Sequence, residues 1–212
     1  MYLPPHFNLE DQNAQHDLIS AYPLGLLISN GPGGLVANPI PFVLDRGFGD
    51  RGRLRGHVAR PNPQWQSLGG QGLSGEVLVV FSGLDHYISP SYYQTKRETG
   101  KVVPTWNYIT VHAYGQVSVH EEAEWLSVQI RDLTRQHEGN RAAPWAVEDA
   151  PAPFIAAQMR GIVGIEIVLT RLEGKAKLSQ NRNEADREGV KAGLAHEPDA
   201  AAQMMAALMA KT

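Results

Sequence analysis

The sequence predicts a mainly β chain with flanking helices, an antiparallel fold of the α+β class. Three observations carry this. Six or seven stretches show strand patterning in hairpin order. The helical stretches sit at the start, middle and end instead of separating the strands regularly, which argues against a parallel doubly wound sheet. The longest β pattern begins near Tyr108, is dominated by β-branched and aromatic residues, and contains no proline to interrupt a ladder.

Met1–Phe7 is a proline-bearing arm. Glu10–Ala21 reads as a helix capped by Asp11 or Asn8 and ended by Pro23. Leu24–Ser29 alternates as a strand, Asn30–Gly34 is a turn cluster, and Leu35–Leu44 returns, weakened by Pro39 and Pro41. Arg53–Val58 is a third strand, with Arg53, Arg55 and His57 on one face. Pro63–Leu68 is a short helix with Asn62 as N-cap and proline at its first position. Gly69–Gly75 is predicted to be flexible. Val77–Phe81 is an unbroken apolar run, the pattern of a strand buried on both faces, and His86–Ser89 a short further strand. Pro90–Gly100 reads as a loop. In the long strand, Ile109, Val111 and Ala113 form the core face. Tyr108, Thr110, His112 and Tyr114 form a polar-tipped face suited to a flat polar ligand or a second subunit. His120–Glu138 is a helix with Trp125, Leu126, Val128 and Ile130 inward, followed by a connector, a helix at Phe154–Arg160 and a strand at Ile162–Leu172. Asn183–Leu194, with Asn183 as N-cap, and Pro198–Ala210, with Met204, Met205, Leu208 and Met209 on its apolar side, complete the chain as helices.

Composition excludes several classes. Of 212 residues 42% are hydrophobic, enough for a real core and too many for a disordered chain. The net charge is −3 and no basic run is visible, so DNA is a possible partner that charge does not support. There is no cysteine, which excludes disulfides and thiolate chemistry and suits a reducing, cytoplasmic setting. No signal peptide is expected, and no apolar run approaches the roughly 18 residues that span a bilayer. The eight histidines lack ligand spacing, so no metal site is expected. No catalytic residue stands out, and no Gly-x-Ser-x-Gly elbow or phosphate loop is present.

Two constellations could carry binding. At His57-Val58-Ala59-Arg60-Pro61-Asn62-Pro63 a strand runs into a capped helix start beside an arginine. Free backbone N–H groups and a planar guanidinium fork suit an anion; an ordinary N-cap with a solvated arginine fits the residues too. Lys177-Leu178-Ser179-Gln180-Asn181-Arg182 places five hydrogen-bonding side chains between a strand and a helix, a polar pocket wall or a solvated loop.

Several blocks, in order, resemble one family: Met1-Tyr2 with Pro5-His6-Phe7; Leu54–Arg60 with Asn62-Pro63-Gln64-Trp65; Tyr87–Tyr93; Lys101–Tyr108 with Val111-His112-Ala113-Tyr114-Gly115; and Leu172–Lys175 with Lys177–Arg182. These are similar to the signatures of the PaiB-type proteins, FMN-binding split-barrel proteins described as negative transcriptional regulators, and the likeness runs to about Leu194. It implies a single FMN-binding split-barrel domain over residues 1–212 with a helical part at about 183–210, and a homodimer. It implies the FMN phosphate at His57, Arg60 and Asn62, and the rest of the cofactor near Lys177, Gln180, Asn181, Lys101, Thr105, Trp106 and Asn107, with Trp106 at the ring and Asn107 at its pyrimidine side. Tyr92 and Ala176 stand where the family often has tryptophan. The implied function is transcriptional repression; the alternative is a flavin-dependent oxidoreductase of the split-barrel class.

Overall fold

The computed structural model describes residues 1–68 and 76–211; the segment 69–75, expected to be flexible, lies outside the described residues. Among the described residues there are eight strands: β1 (Asn8–Leu9), β2 (Leu24–Gly31), β3 (Gly34–Pro41), β4 (Val43–Asp45), β5 (Arg53–Ala59), β6 (Glu76–Ile88), β7 (Thr105–His120) and β8 (Ile162–Lys177). They form one sheet in the order β3-β2-β6-β7-β8-β5-β4, with β1 added to β8. The pairings are antiparallel, as hairpin order predicts. The helices are α1 (Gln12–Ala21), α2 (Gln94–Thr99), α3 (Ala123–Glu138), α4 (Ala152–Arg160), α5 (Glu184–His196) and α6 (Ala200–Met209). The fold is a mixed α+β split barrel.

Three local expectations need correction. The two short runs expected around Gly83 are one 13-residue strand, β6. Val77, Val79 and Phe81 are buried and Ile88 closes the strand equally buried, so a continuous ladder overrides the polar interruption. The returning strand divides into β3 and β4 at Phe42. Pro41 ends the first ladder and the Phe42 N–H turns to the carbonyl of Pro23 at 2.9 Å. The expected loop 90–100 contains α2, which ends on Gly100 at φ 68°, a left-handed C-terminal position open to glycine.

Contacts divide the chain into two compact units. The first comprises Met1–Asp11, Ser82–Val111 and Glu173–Thr212; the second comprises Gln12–Phe81 and His112–Leu172. In the first, Ile88, Tyr93, Leu178, Val190, Leu194, Met205 and Met209 form one core. Asn183 caps α5 by accepting from the Asp186 N–H at 2.8 Å, and Asp199 caps α6 through the Ala202 N–H. Helix α5 lies tight against the turn at Tyr92: a Cβ at Gly189 would stand 2.1 Å from the Tyr92 carbonyl oxygen. Met204, expected inward, is half exposed.

The core of the second unit holds Ile19, Leu27, Phe42, Leu54, Phe81, Ile165 and Ile167, with Phe42 and Phe81 edge to face at 6.0 Å. Helix α3 buries Leu126 and Gln129, while Val128, also expected inward, faces out. The reason is polar. Arg55 and His57 on β5 meet Asp132 and Gln129 of α3, so the helix turns a partly polar side to the strand.

Candidate flavin site

In the first unit, the end of β8 and the turn after it meet the start of β7. The Lys177 ammonium donates to the Thr105 hydroxyl and the Trp106 carbonyl. Ser179 Oγ donates to Asn107 Oδ1 at 3.1 Å, and Asn107, fully buried, donates to Met209 Sδ at 3.4 Å. Gln180 closes the turn on itself: its Oε1 accepts from the Leu178 N–H at 2.6 Å and its Nε2 donates to the Ala176 carbonyl at 2.7 Å. Ser179 sits at φ 66°, a left-handed conformation that costs a side-chain-bearing residue energy and recurs at ligand clamps. Thr105, Asn107, Lys177, Ser179, Asn181 and Arg182 line a cavity of about 30 Å³.

This corner is strongly cationic. Lys175, buried, donates to the Tyr2 carbonyl at 3.0 Å and lies 5.4 Å from the centre of the Tyr108 ring. Lys177 lies 6.0 Å from the same ring, and the Arg182 guanidinium lies 4.7 Å from the Tyr93 ring. Among the described residues none of the three forms an ion pair with a carboxylate. Burial first, and then the charges of Lys175 and Arg182, hold the Lys177 ammonium below the ordinary lysine range. Trp106 is half exposed and meets Tyr87 edge to face at 6.2 Å. Lys101 is exposed and its side chain forms no ion pair among the described residues.

Of the ten residues expected at the site, seven therefore lie in the first unit: Lys101, Thr105, Trp106, Asn107, Lys177, Gln180 and Asn181. Thr105, Asn107, Lys177 and Asn181 line the one cavity. Sequence reading missed Tyr2, Lys175, Ser179 and Arg182 as members. Lys175 had a signal, since residues two apart on a strand share a face and Lys177 was already chosen. The left-handed backbone at Ser179 had none.

His57, Arg60 and Asn62 lie in the second unit. The expected helix there is a five-residue 3-10 turn, Pro63–Ser67, one of whose first amides is served by Asn62: its Oδ1 accepts from the Gln64 N–H at 3.0 Å. The Arg60 guanidinium uses three of its five N–H groups on protein acceptors. It donates to the Arg160 carbonyl at 2.9 Å, to Glu121 Oε2 at 2.5 Å and to the Ile162 carbonyl at 3.2 Å. His57 Nδ1 lies 2.8 Å from Gln129 Oε1. These are the bonds of a clamp between β5, the start of β8 and α3, with the arginine fork committed to protein acceptors. Arg53 is paired with Asp45 and Glu166, and Arg55 with Asp132, so the basic face of β5 is neutralised.

Residues 1–171 match the family described as "Putative FMN-binding domain". Protease synthase and sporulation protein PAI 2 of Bacillus subtilis is 31% identical over 209 residues, covering 99% of this chain and 96% of its own. The chain belongs to the PaiB-type family. An uncharacterized family relative from Emericella nidulans is 40% identical over 208 residues, with 83% of each chain covered. Among solved structures, a conserved hypothetical protein of Mycobacterium tuberculosis superposes with a TM-score of 0.59 at 14% identity, over 87% of this chain and 95% of its own, a likeness of fold. Among the described residues no helix of this family member is long and apolar enough to cross a membrane.

Proposed function

We propose that this chain binds FMN through its first unit and acts as a PaiB-type negative regulator of transcription. The observation that carries the cofactor assignment is the cluster of Lys175, Lys177 and Arg182, three cations without a carboxylate partner beside hydroxyl and amide groups of Thr105, Ser179 and Asn181. Unpaired, partly buried cations are costly, and an anionic ligand offsets that cost. FMN fits the donor set, because it offers a phosphate dianion, ribityl hydroxyls and a pyrimidine edge. Lys101, Trp106 and Gln180 complete the proposed set. His57 and Arg60, which bond across the second unit, and Asn62, which caps its own turn, are left outside the proposed set. When bound, the flavin supplies a ring that accepts and returns electrons; the chain's own residues bind and orient it.

An FMN titration of the purified protein tests this, read by quenching of flavin fluorescence and by shifts in the flavin absorption bands. Saturable one-to-one binding is expected. Unchanged free-flavin spectra at micromolar protein would defeat the reading. The alternative of a flavin-dependent oxidoreductase is favoured by one observation: Arg53 and Arg55, the cations best grouped for a nucleic-acid contact in the second unit, are neutralised. Turnover of a reduced nicotinamide by the FMN-loaded protein separates the two. Repression is then expected through a partner protein or a restricted basic site.

A further inference from the structure

We infer that Lys177 and Arg182, backed by Lys175, form an oxyanion site that takes the phosphate end of FMN. The inference rests on the FMN reading and deepens it, since it assigns one end of the ligand to named residues.

Four observations lead there. First, many of the partly buried or clustered cations elsewhere are paired: Arg46, Arg53, Arg55, Arg60, Arg131 and Lys191 each reach a carboxylate. Lys175, Lys177 and Arg182 do not, although a carboxylate is close in sequence. Asp186, buried, instead accepts from the Thr95 N–H and hydroxyl at 2.9 Å and from Asn183 at 3.3 Å. Second, burial first, and then the neighbouring charges of Lys175 and Arg182, weaken proton binding at Lys177. A doubly charged anion reverses that repulsion, whereas a neutral ring edge does so only in part. Third, the cavity that Lys177 and Arg182 line has about 30 Å³, room for a water-sized group such as an oxyanion oxygen and not for a three-ring system. Fourth, donors remain. Lysine has three N–H groups and Lys177 spends two, on Thr105 and Trp106. Arg182 offers a planar fork matched to phosphate. The rival position, Arg60, has its guanidinium committed to three protein acceptors.

The test compares FMN, riboflavin and inorganic phosphate on the full chain and on the Arg182→Gln, Lys177→Gln and Arg60→Gln variants, with circular dichroism confirming the fold of each. Wild type should prefer FMN to riboflavin by about tenfold or more, the scale of a charge-assisted hydrogen bond. Arg182→Gln should remove most of that preference and leave riboflavin affinity within about twofold; Lys177→Gln should act the same way, and Arg60→Gln should keep the preference. Inorganic phosphate should raise the thermal midpoint of wild type and not of Arg182→Gln, a readout that needs no flavin. Equal losses for both flavins in Arg182→Gln would move these residues to the ring and overturn the phosphate assignment while FMN binding stands. Selective loss of FMN in Arg60→Gln would overturn it in favour of the β5 junction. A wild type that binds neither flavin overturns the FMN reading itself, and a midpoint indifferent to phosphate overturns the oxyanion site separately.

Discussion

Arg60 and Lys177 are both cations at strand ends, yet their surroundings give them opposite work. Arg60 reaches two carbonyls 100 and 102 residues on and Glu121, 61 residues on. The ion pair with Glu121 is exposed and worth little, so most of the stabilisation comes from the two carbonyl bonds. Arg60→Ala is expected to lower unfolding free energy by about 1–2 kcal/mol in urea titrations. FMN affinity should stay within about twofold of wild type; a loss confined to cofactor affinity would contradict the clamp. Lys177 carries a pH signature. Its folded pKa is depressed, so below that pKa the folded state bears a charge that its surroundings penalise. As pH rises toward the ordinary lysine value of about 10.4, the unfolded chain holds more protons at this position than the folded one, and stability rises. Wild type should therefore gain stability relative to Lys177→Gln across that approach, as followed by chemical denaturation. Oxyanion affinity should fall over the same range, because the neutral amine no longer attracts it.

Among the elements, α5 decides how the first unit closes. Its sequence carries a cap at Asn183 and buried positions at Asp186, Val190 and Leu194, spaced to share one face. Gly189 and Gly193 lie where Tyr92 comes close: a Cβ at Gly193 would stand 2.2 Å from the Tyr92 ring, and one at Gly189 2.1 Å from a backbone oxygen. A ring can turn aside, but a carbonyl held by its turn cannot. Gly189→Ala is therefore expected to destabilise by about 1–3 kcal/mol, although alanine favours a helix, and to cost more than Gly193→Ala. Thermal midpoints of the two variants check the order; a stabilised Gly189→Ala would mean that α5 packs less closely than described.

At the scale of the whole molecule, the outer face of the β2–β3 hairpin is apolar. Leu24, Leu26 and Ile28 alternate along β2, with Pro41, Pro39 and Ala37 opposite on β3 and Val80 and Leu78 on β6. Leu24 is 63% exposed and Leu35, on the same face of β3, 77%. A contiguous apolar sheet face is costly in water and marks an interaction surface. A second copy is the proposed cover, in keeping with the homodimer that the split-barrel resemblance implies. Light scattering at micromolar concentration should give twice the chain mass of 23.2 kDa, and Leu26→Lys should give the monomer. A wild-type monomer would remove this model.

The sequence by itself determined the α+β class, the antiparallel order, most of the helices and the caps at Asn62 and Asn183. These rest on periods of two and 3.6 residues and on bonds two or three residues apart, which a chain displays locally. It also supplied the Lys177–Arg182 block as a candidate, because five polar side chains among six residues are conspicuous in any context. The tertiary structure decided which cations are free to bind. Arg60 looked available beside its cap, and only the return of Glu121 and Ile162, the latter 102 residues on, shows it engaged by protein acceptors. Lys175 and Arg182 looked ordinary until folding brought them to Lys177 without a carboxylate, near Thr105, 72 residues away from Lys177. Whether a charge is spent or spare depends on partners distant along the chain, and no local pattern carries that information.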